Sequence, residues 1–378
     1  MKKIVFLMLL MSIFRAPASA QKQGQERIDS MLVVLKSSAE DTNKVTLLND
    51  ICFTYYAINP DEGLIFGNQA LALAEKLKWK YGIAQANSRI GSNYFGKADY
   101  PNALTFWLKA LKQNEEIGNK KSVGINLGNI GNIFLLQNDY EKALDYYFRA
   151  TKLNEESGNK NALALNFGNI GTVYGYQLKF EQGLEYFLKA LKIQEEIQDV
   201  AGIARSTISI ANVYMGLKDY SKALEYNFRA LGMVSEFGVT NLVATSQTNI
   251  AKNYFELANE SNKAQLNNIL NGNKNVALQL AKSYNDSAIM LFNEIGDMSA
   301  LYQTYQSLSE IQSLLGDKSG ALESYKNYSL FKDSVFNMEK DKKLTQTTMQ
   351  YEFDKRKQLP KRNRKKRTFV SEIFATPF

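Results

Sequence analysis

The chain has 378 residues, 45% of them hydrophobic and 22% charged, an ordinary composition for a water-soluble protein. It holds no histidine and one cysteine, Cys52, which excludes an imidazole base, an internal disulfide and a thiolate metal cluster. The formal charge of +8 sits at the two ends (Lys2, Lys3 and Arg15; then nine basic against two acidic residues from Asp354 on), so the stretch between is near neutral and has no footprint for nucleic acid.

Lys2 and Lys3 precede the apolar run from Ile4 to Phe14, and Ala18-Ser19-Ala20 supplies small residues for cleavage before Gln21. Residues 1–20 therefore read as a signal peptide, and the mature chain as exported, periplasmic or extracellular. The run falls short of the ~20 apolar residues a transmembrane helix needs, so no span is expected in the mature chain. Residues 21–42 read as a lead-in or capping helix. Cys52 lies in the run Ile51-Cys52-Phe53 and reads as a small buried hydrophobe.

From residue 83 to 242 the chain repeats every 40 positions. Ile90-Gly91, Ile130-Gly131, Ile170-Gly171 and Ile210-Ala211 share one register; Asp99-Tyr100, Asp139-Tyr140 and Asp219-Tyr220 share another, with Lys179-Phe180 as the variant. Such a fixed period is the signature of stacked repeats, each packing on its neighbours. Within one unit, Val123, Leu127, Ile130 and Phe134 make one apolar stripe of a first helix. Asn138 or Asp139 caps a second helix, from about Glu141 to Ser157, with Ala143, Leu144, Tyr147 and Ala150 inward and Gly158 as a left-handed stop. Period-2 alternation is missing, which argues against strands.

These columns resemble the tetratricopeptide repeat in a 40-residue form. The resemblance rests on the small residue of the first helix (Gly91, Gly131, Gly171) and the aromatic after it (Tyr94, Phe134, Tyr174, Tyr214). It continues in two alanine columns of the second helix: Ala103, Ala143 and Ala223, with Gly183 the exception, then Ala110, Ala150, Ala190 and Ala230. Trp107, Tyr147 and Phe187 supply the facing aromatic, and Asn227 departs from it. The resemblance implies an all-α, right-handed α-solenoid of about seven antiparallel hairpins over residues 43–338. An Asn-rich insertion at about 257–276 interrupts it and offers a further contact surface.

In that family the first helices line a concave surface. Polar residues recur opposite the apolar stripe in three columns: Asn126 and Asn166; Arg89, Asn129, Asn169, Ser209 and Asn249; Asn132, Thr172, Asn212 and Lys252. A carboxamide is both donor and acceptor, so such a ladder can clamp the backbone of an extended peptide. Asn129-Ile130-Gly131-Asn132 is similar to groove helices that hold peptides in this way. The repeated pairs Glu115-Glu116, Glu155-Glu156 and Glu195-Glu196 stand beside lysines and read as a solvated face. Phosphate loops, nucleophile elbows and metal spacings do not appear. The expected function is a non-catalytic, cofactor-free scaffold that binds a protein or extended peptide and not nucleic acid.

Residues 339–356 read as a charged helix, a candidate coiled coil and dimer surface, and 357–378 as a basic disordered tail. From Lys355 to Val370 permitted codons allow a neighbouring frame to encode a better continuation of that helix. The hidden string is similar to the linker of bacterial tetratricopeptide sensors. This gives an alternative: the sensor region of a membrane-bound histidine kinase, nucleotide cyclase or DNA-binding regulator, truncated by a frameshift before its membrane helix and output domain.

Overall fold

The computed structural model describes residues 18–336. The cationic and apolar parts of the leader, the charged helix 339–356 with its dimer surface, and the tail 357–378 lie outside the described residues. Among the described residues every regular element is helical. No helix there is long and apolar enough to cross a membrane.

A lead-in helix α1 (Ala18–Lys36) precedes α2 (Thr42–Tyr55) and α3 (Pro60–Lys76). Four hairpins of uniform length follow: α4 (Lys80–Gly96) with α5 (Tyr100–Glu116), α6 (Lys120–Leu136) with α7 (Tyr140–Glu156), α8 (Lys160–Tyr176) with α9 (Phe180–Glu196), and α10 (Val200–Gly216) with α11 (Tyr220–Glu236). Then come α12 (Thr240–Leu257), a short α13 (Lys263–Leu270), α14 (Lys274–Ile295), α15 (Met298–Leu314) and a final helix α16 over residues 318–336. Pairing α12 with α14 and α15 with α16 gives seven hairpins in a row.

The 40-residue sequence period is two equal steps of 20, a 17-residue helix and a three-residue turn. The middle residue of each turn is left-handed: Lys78, Ala98, Gly118, Asn138, Gly158, Leu178, Gln198, Lys218 and Gly238. The residue after it bonds back across the turn, as Asp139 N to Phe134 O at 2.9 Å, while Asn138 N reaches Leu135 O at 3.0 Å. That is the Schellman arrangement. In six of the nine turns the same third residue then caps the next helix, as Asp139 Oδ1 accepts from Lys142 N at 3.2 Å and Asp199 Oδ1 from Gly202 N at 2.9 Å; Trp79, Lys179 and Val239 make no such side-chain bond. Of the two readings for the turn in the second repeat, Asp139 is the cap and Asn138 the left-handed residue.

The hairpins close through small-to-large contacts. A Cβ on Gly131 would lie 2.7 Å from the Tyr147 ring, and one on Gly91 2.6 Å from Trp107. Where the small residue grows to Ala211, the aromatic shrinks to Asn227, and both are fully buried. Stacked rings bridge the two helices farther along: Tyr94 on Phe106 (5.4 Å), Phe134 on Tyr146 (5.3 Å), Tyr174 on Tyr186 (5.6 Å) and Tyr214 on Tyr226 (5.5 Å). The Asn-rich insertion contributes α13. Its Gln265 accepts from Tyr220 N (3.0 Å) and donates to Lys218 O (2.7 Å), which bolts it to the turn between α10 and α11.

Two outcomes follow from the turn and the close approach. Leu178 is exposed at φ 60°, and a side chain there costs about 1–2 kcal/mol; Leu178→Gly raises the urea midpoint, by about 1 kcal/mol in stability. Gly131→Ala pushes into the buried Tyr147 ring and lowers stability by about 1–3 kcal/mol in the same measurement.

Candidate functional site

First helices of successive hairpins touch one another (α2 with α4, α6 with α8, α8 with α10, α10 with α12), whereas no second helix makes comparable contact with the next second helix. The stack is therefore tighter on its first-helix side, and that side is the inside of the curve. Side chains bond across it between repeats: Asn49 Nδ2 to Gln85 Oε1 (3.3 Å), Ser88 Oγ to Asn126 Oδ1 (2.9 Å) and Asn169 Nδ2 to Asn132 Oδ1 (3.1 Å).

The three candidate columns do not share one environment. Asn126 and Asn166 are 1% and 4% exposed, sealed between consecutive first helices, where Asn166 Oδ1 faces Gly128. They cannot reach a ligand, and their assignment to the groove is corrected. The cause is rotation. A step of three residues turns a helix by 300°, so Asn126, Asn129 and Asn132 walk round the helix by 60° at each step. Spacings of four and three keep to one face instead, and the open stripe on α6 is Ile125, Asn129, Asn132, Leu136. Its counterpart on α8 is Leu165, Asn169, Thr172, Tyr176. The sequence reading missed Ile125 (39% exposed) and Leu165 (55% exposed), which add apolar area beside the amides. Their four-residue spacing to Asn129 and Asn169 was the available signal.

The second and third columns stay half-buried on this face. Asn132 Oδ1 is occupied, accepting also from Tyr147 Oη at 2.7 Å. Thr172 and Ser209 donate to their own helix, to Gly168 O and Arg205 O, both at 2.9 Å. Asn212 and Asn249 each hold an Nδ2 buried without a hydrogen-bond partner. Arg89 and Lys252 carry charge on the same face; burial lowers both pKa values, opposed by the charges of Asp50 and Glu256 respectively.

Elsewhere the chemistry is quiet. Burial pushes the Cys52 thiol up to about 12, so it is not a thiolate at neutral pH. Glu156 pairs with Lys120 (2.8 Å) and Glu196 with Lys160 (3.0 Å), joining the two ends of a hairpin at the surface. No group of three or more acidic or cysteine side chains placed to hold a metal occurs among the described residues.

Residues 82–156 match the sequence model of the tetratricopeptide repeat, a binding repeat rather than a catalytic family. No curated protein matches the chain in sequence. Similar solved structures include the apo form of the quorum sensor NprR from B. thuringiensis, with 18% identity and a TM-score of 0.60, covering 82% of this chain and 81% of that one. A Rap protein complexed with Competence and Sporulation Factor is 14% identical, with a TM-score of 0.51, covering 86% and 98%. BtubC from P. vanneervenii is also 14% identical, with a TM-score of 0.51, covering 61% and 90%. At these identities the structures show a shared fold. Residues 82–156 are thus tetratricopeptide repeats, and the helices on either side continue the same fold.

Proposed function

We propose that the chain is a non-catalytic scaffold that holds an extended segment of a protein or peptide in the concave groove of its first helices. The observation that carries this reading is the open stripe repeated on successive first helices, in which Asn129 and Asn132 stand beside Ile125, and Asn169 and Thr172 beside Leu165. A carboxamide both donates and accepts, so such a stripe can bond the backbone of a ligand without reading a side chain. Ile125 and Leu165 supply apolar contact between the amides.

The leader-like residues 1–20 support action outside the cytoplasm. A sensory role for the same groove is the second reading, favoured by the shared fold with a quorum sensor and with a Rap protein bound to a signalling factor.

The test is a pull-down from envelope extract with the full chain, comparing wild type with a quadruple variant, Asn129→Ala, Asn132→Ala, Asn169→Ala and Asn212→Ala, after both show equal helicity. Loss of four amide bonds predicts retention of a partner lower by on the order of a hundredfold. A partner held equally by both chains refutes the groove and moves function to the second-helix face or the insertion.

A further inference from the structure

In three successive hairpins one aromatic of the second helix fills the space between neighbouring helices: Trp107, Tyr147 and Phe187, exposed by 2%, 0% and 3%. Each shares an apolar cluster with an aliphatic side chain of the following first helix, Ile133, Val173 and Val213 respectively. At the α10–α11 hairpin both members of this pair become amides. Asn227 on α11 takes the aromatic position and Asn253 on α12 the aliphatic one, and both are fully buried. The methyl of Ala211, where Gly91, Gly131 and Gly171 stand in the other hairpins, refills only part of the volume that the shorter Asn227 gives up.

The polar atoms at this position are unspent. Among the described residues Asn227 is the one side chain with both Nδ2 and Oδ1 buried and without a hydrogen-bond partner. Asn253 donates its Nδ2 to Asn249 O at 2.9 Å and keeps Oδ1 buried without a partner. Asn212, on α10, holds a buried Nδ2 in the same condition. The α6–α7 hairpin shows how this link is made elsewhere: Tyr147 Oη donates to Asn132 Oδ1 at 2.7 Å, and Asn212 stands where Asn132 does. Asn227 carries no group long enough to replace that phenol hydroxyl.

Two donors (Asn212 Nδ2 and Asn227 Nδ2) and two acceptors (Asn227 Oδ1 and Asn253 Oδ1) thus converge by repeat equivalence on one polar site. A cation would meet the two donors, an anion the two carbonyl oxygens, and an apolar guest would leave all four atoms unbonded. A water molecule accepts two hydrogen bonds and donates two, and buried water takes sites with two to four polar partners. We propose that α10, α11 and α12 enclose a resident water bonded to Asn227 and Asn253, which links them to Asn212 in place of the phenol hydroxyl of Tyr147. The water fixes the rotation of the Asn212 carboxamide. Only that consequence bears on the groove reading, and the site stands without it.

The test is magnetisation transfer from water to side-chain amides in the full chain, deuterated and labelled with nitrogen-15 at asparagine. Asn227→Ser and Asn212→Ser identify the two amides by their missing signals. A resident water gives nuclear and rotating-frame Overhauser effects of opposite sign, which separates it from proton exchange. The result expected is such a pair of effects at both Asn227 and Asn212. Their absence at Asn227 overturns the site, and their presence at Asn227 alone overturns the link to Asn212.

Ala211→Gly combined with Asn227→Tyr restores the arrangement of the α6–α7 hairpin. This double variant is expected to lose the water effect at Asn212 and to unfold at a higher urea concentration than wild type. An effect at Asn212 that survives in the folded variant overturns the placement of the water beside residue 227. The wild-type spectrum decides the site even if the variant does not fold.

Discussion

The three-residue turn is the constraint on which the array depends. Its middle residue is left-handed and its last residue bonds back across the turn in all nine regular turns, and in six of them that same residue caps the following helix, the exceptions being Trp79, Lys179 and Val239. Ending one helix and starting the next are thus one event, repeated every 20 residues. The equal helix lengths follow, and with them the register that sets Gly131 against Tyr147 and stacks Phe134 on Tyr146. Six of the nine regular turns place a residue other than glycine at the left-handed position. Each carries local strain. The packing of neighbouring hairpins on both sides offsets it, as expected in a stack where every unit shares two interfaces.

Curvature comes from the same register. Gly128, Asn126 and Asn166 let successive first helices approach closely, while the second helices, with larger aromatics between them and the first, stay apart. The residues sealed in that seam are polar because they bond or face one another across repeats, not because they meet solvent. Buried polar pairs of this kind fix which residues face which. The seam therefore determines how the open amides of neighbouring repeats line up.

Much of this was legible in the sequence, and what was not has physical causes. The all-α class and the small-residue columns were read directly from the period, because each position meets the same environment in every repeat. The groove was read with the wrong pitch. Asn126, Asn129 and Asn132 look alike as letters, and only the helical angle separates a sealed Asn126 from an open Asn129. The second member of each ring stack (Phe106, Tyr146, Tyr186, Tyr226) lies in an aromatic column of its own, but its contact with the first helix depends on the turn geometry. Asn227 seemed to break the packing column. Its partner position changes with it from Gly to Ala211, which refills only part of the volume the smaller side chain gives up, and both polar atoms of Asn227 remain without partners.

Repetition also supplies an internal control for the charges in the groove. Arg89 stands in a column otherwise occupied by Asn129, Asn169, Ser209 and Asn249, and Lys252 in a column with Ser92, Asn132, Thr172 and Asn212. The fold accepts a neutral residue at every one of those equivalent sites, so packing does not require the cation. A largely buried charge without an ion pair lowers stability wherever it is placed. Phe53 beneath Arg89 stabilises it only in part, since a cation–π contact returns about 0.5–2 kcal/mol. Within one repeated architecture, then, Arg89 and Lys252 depart from the neutral pattern of their own columns in the direction that costs stability. Both lie on the open face, where Asp50 and Glu256 offset their charge only at longer range, without an ion pair.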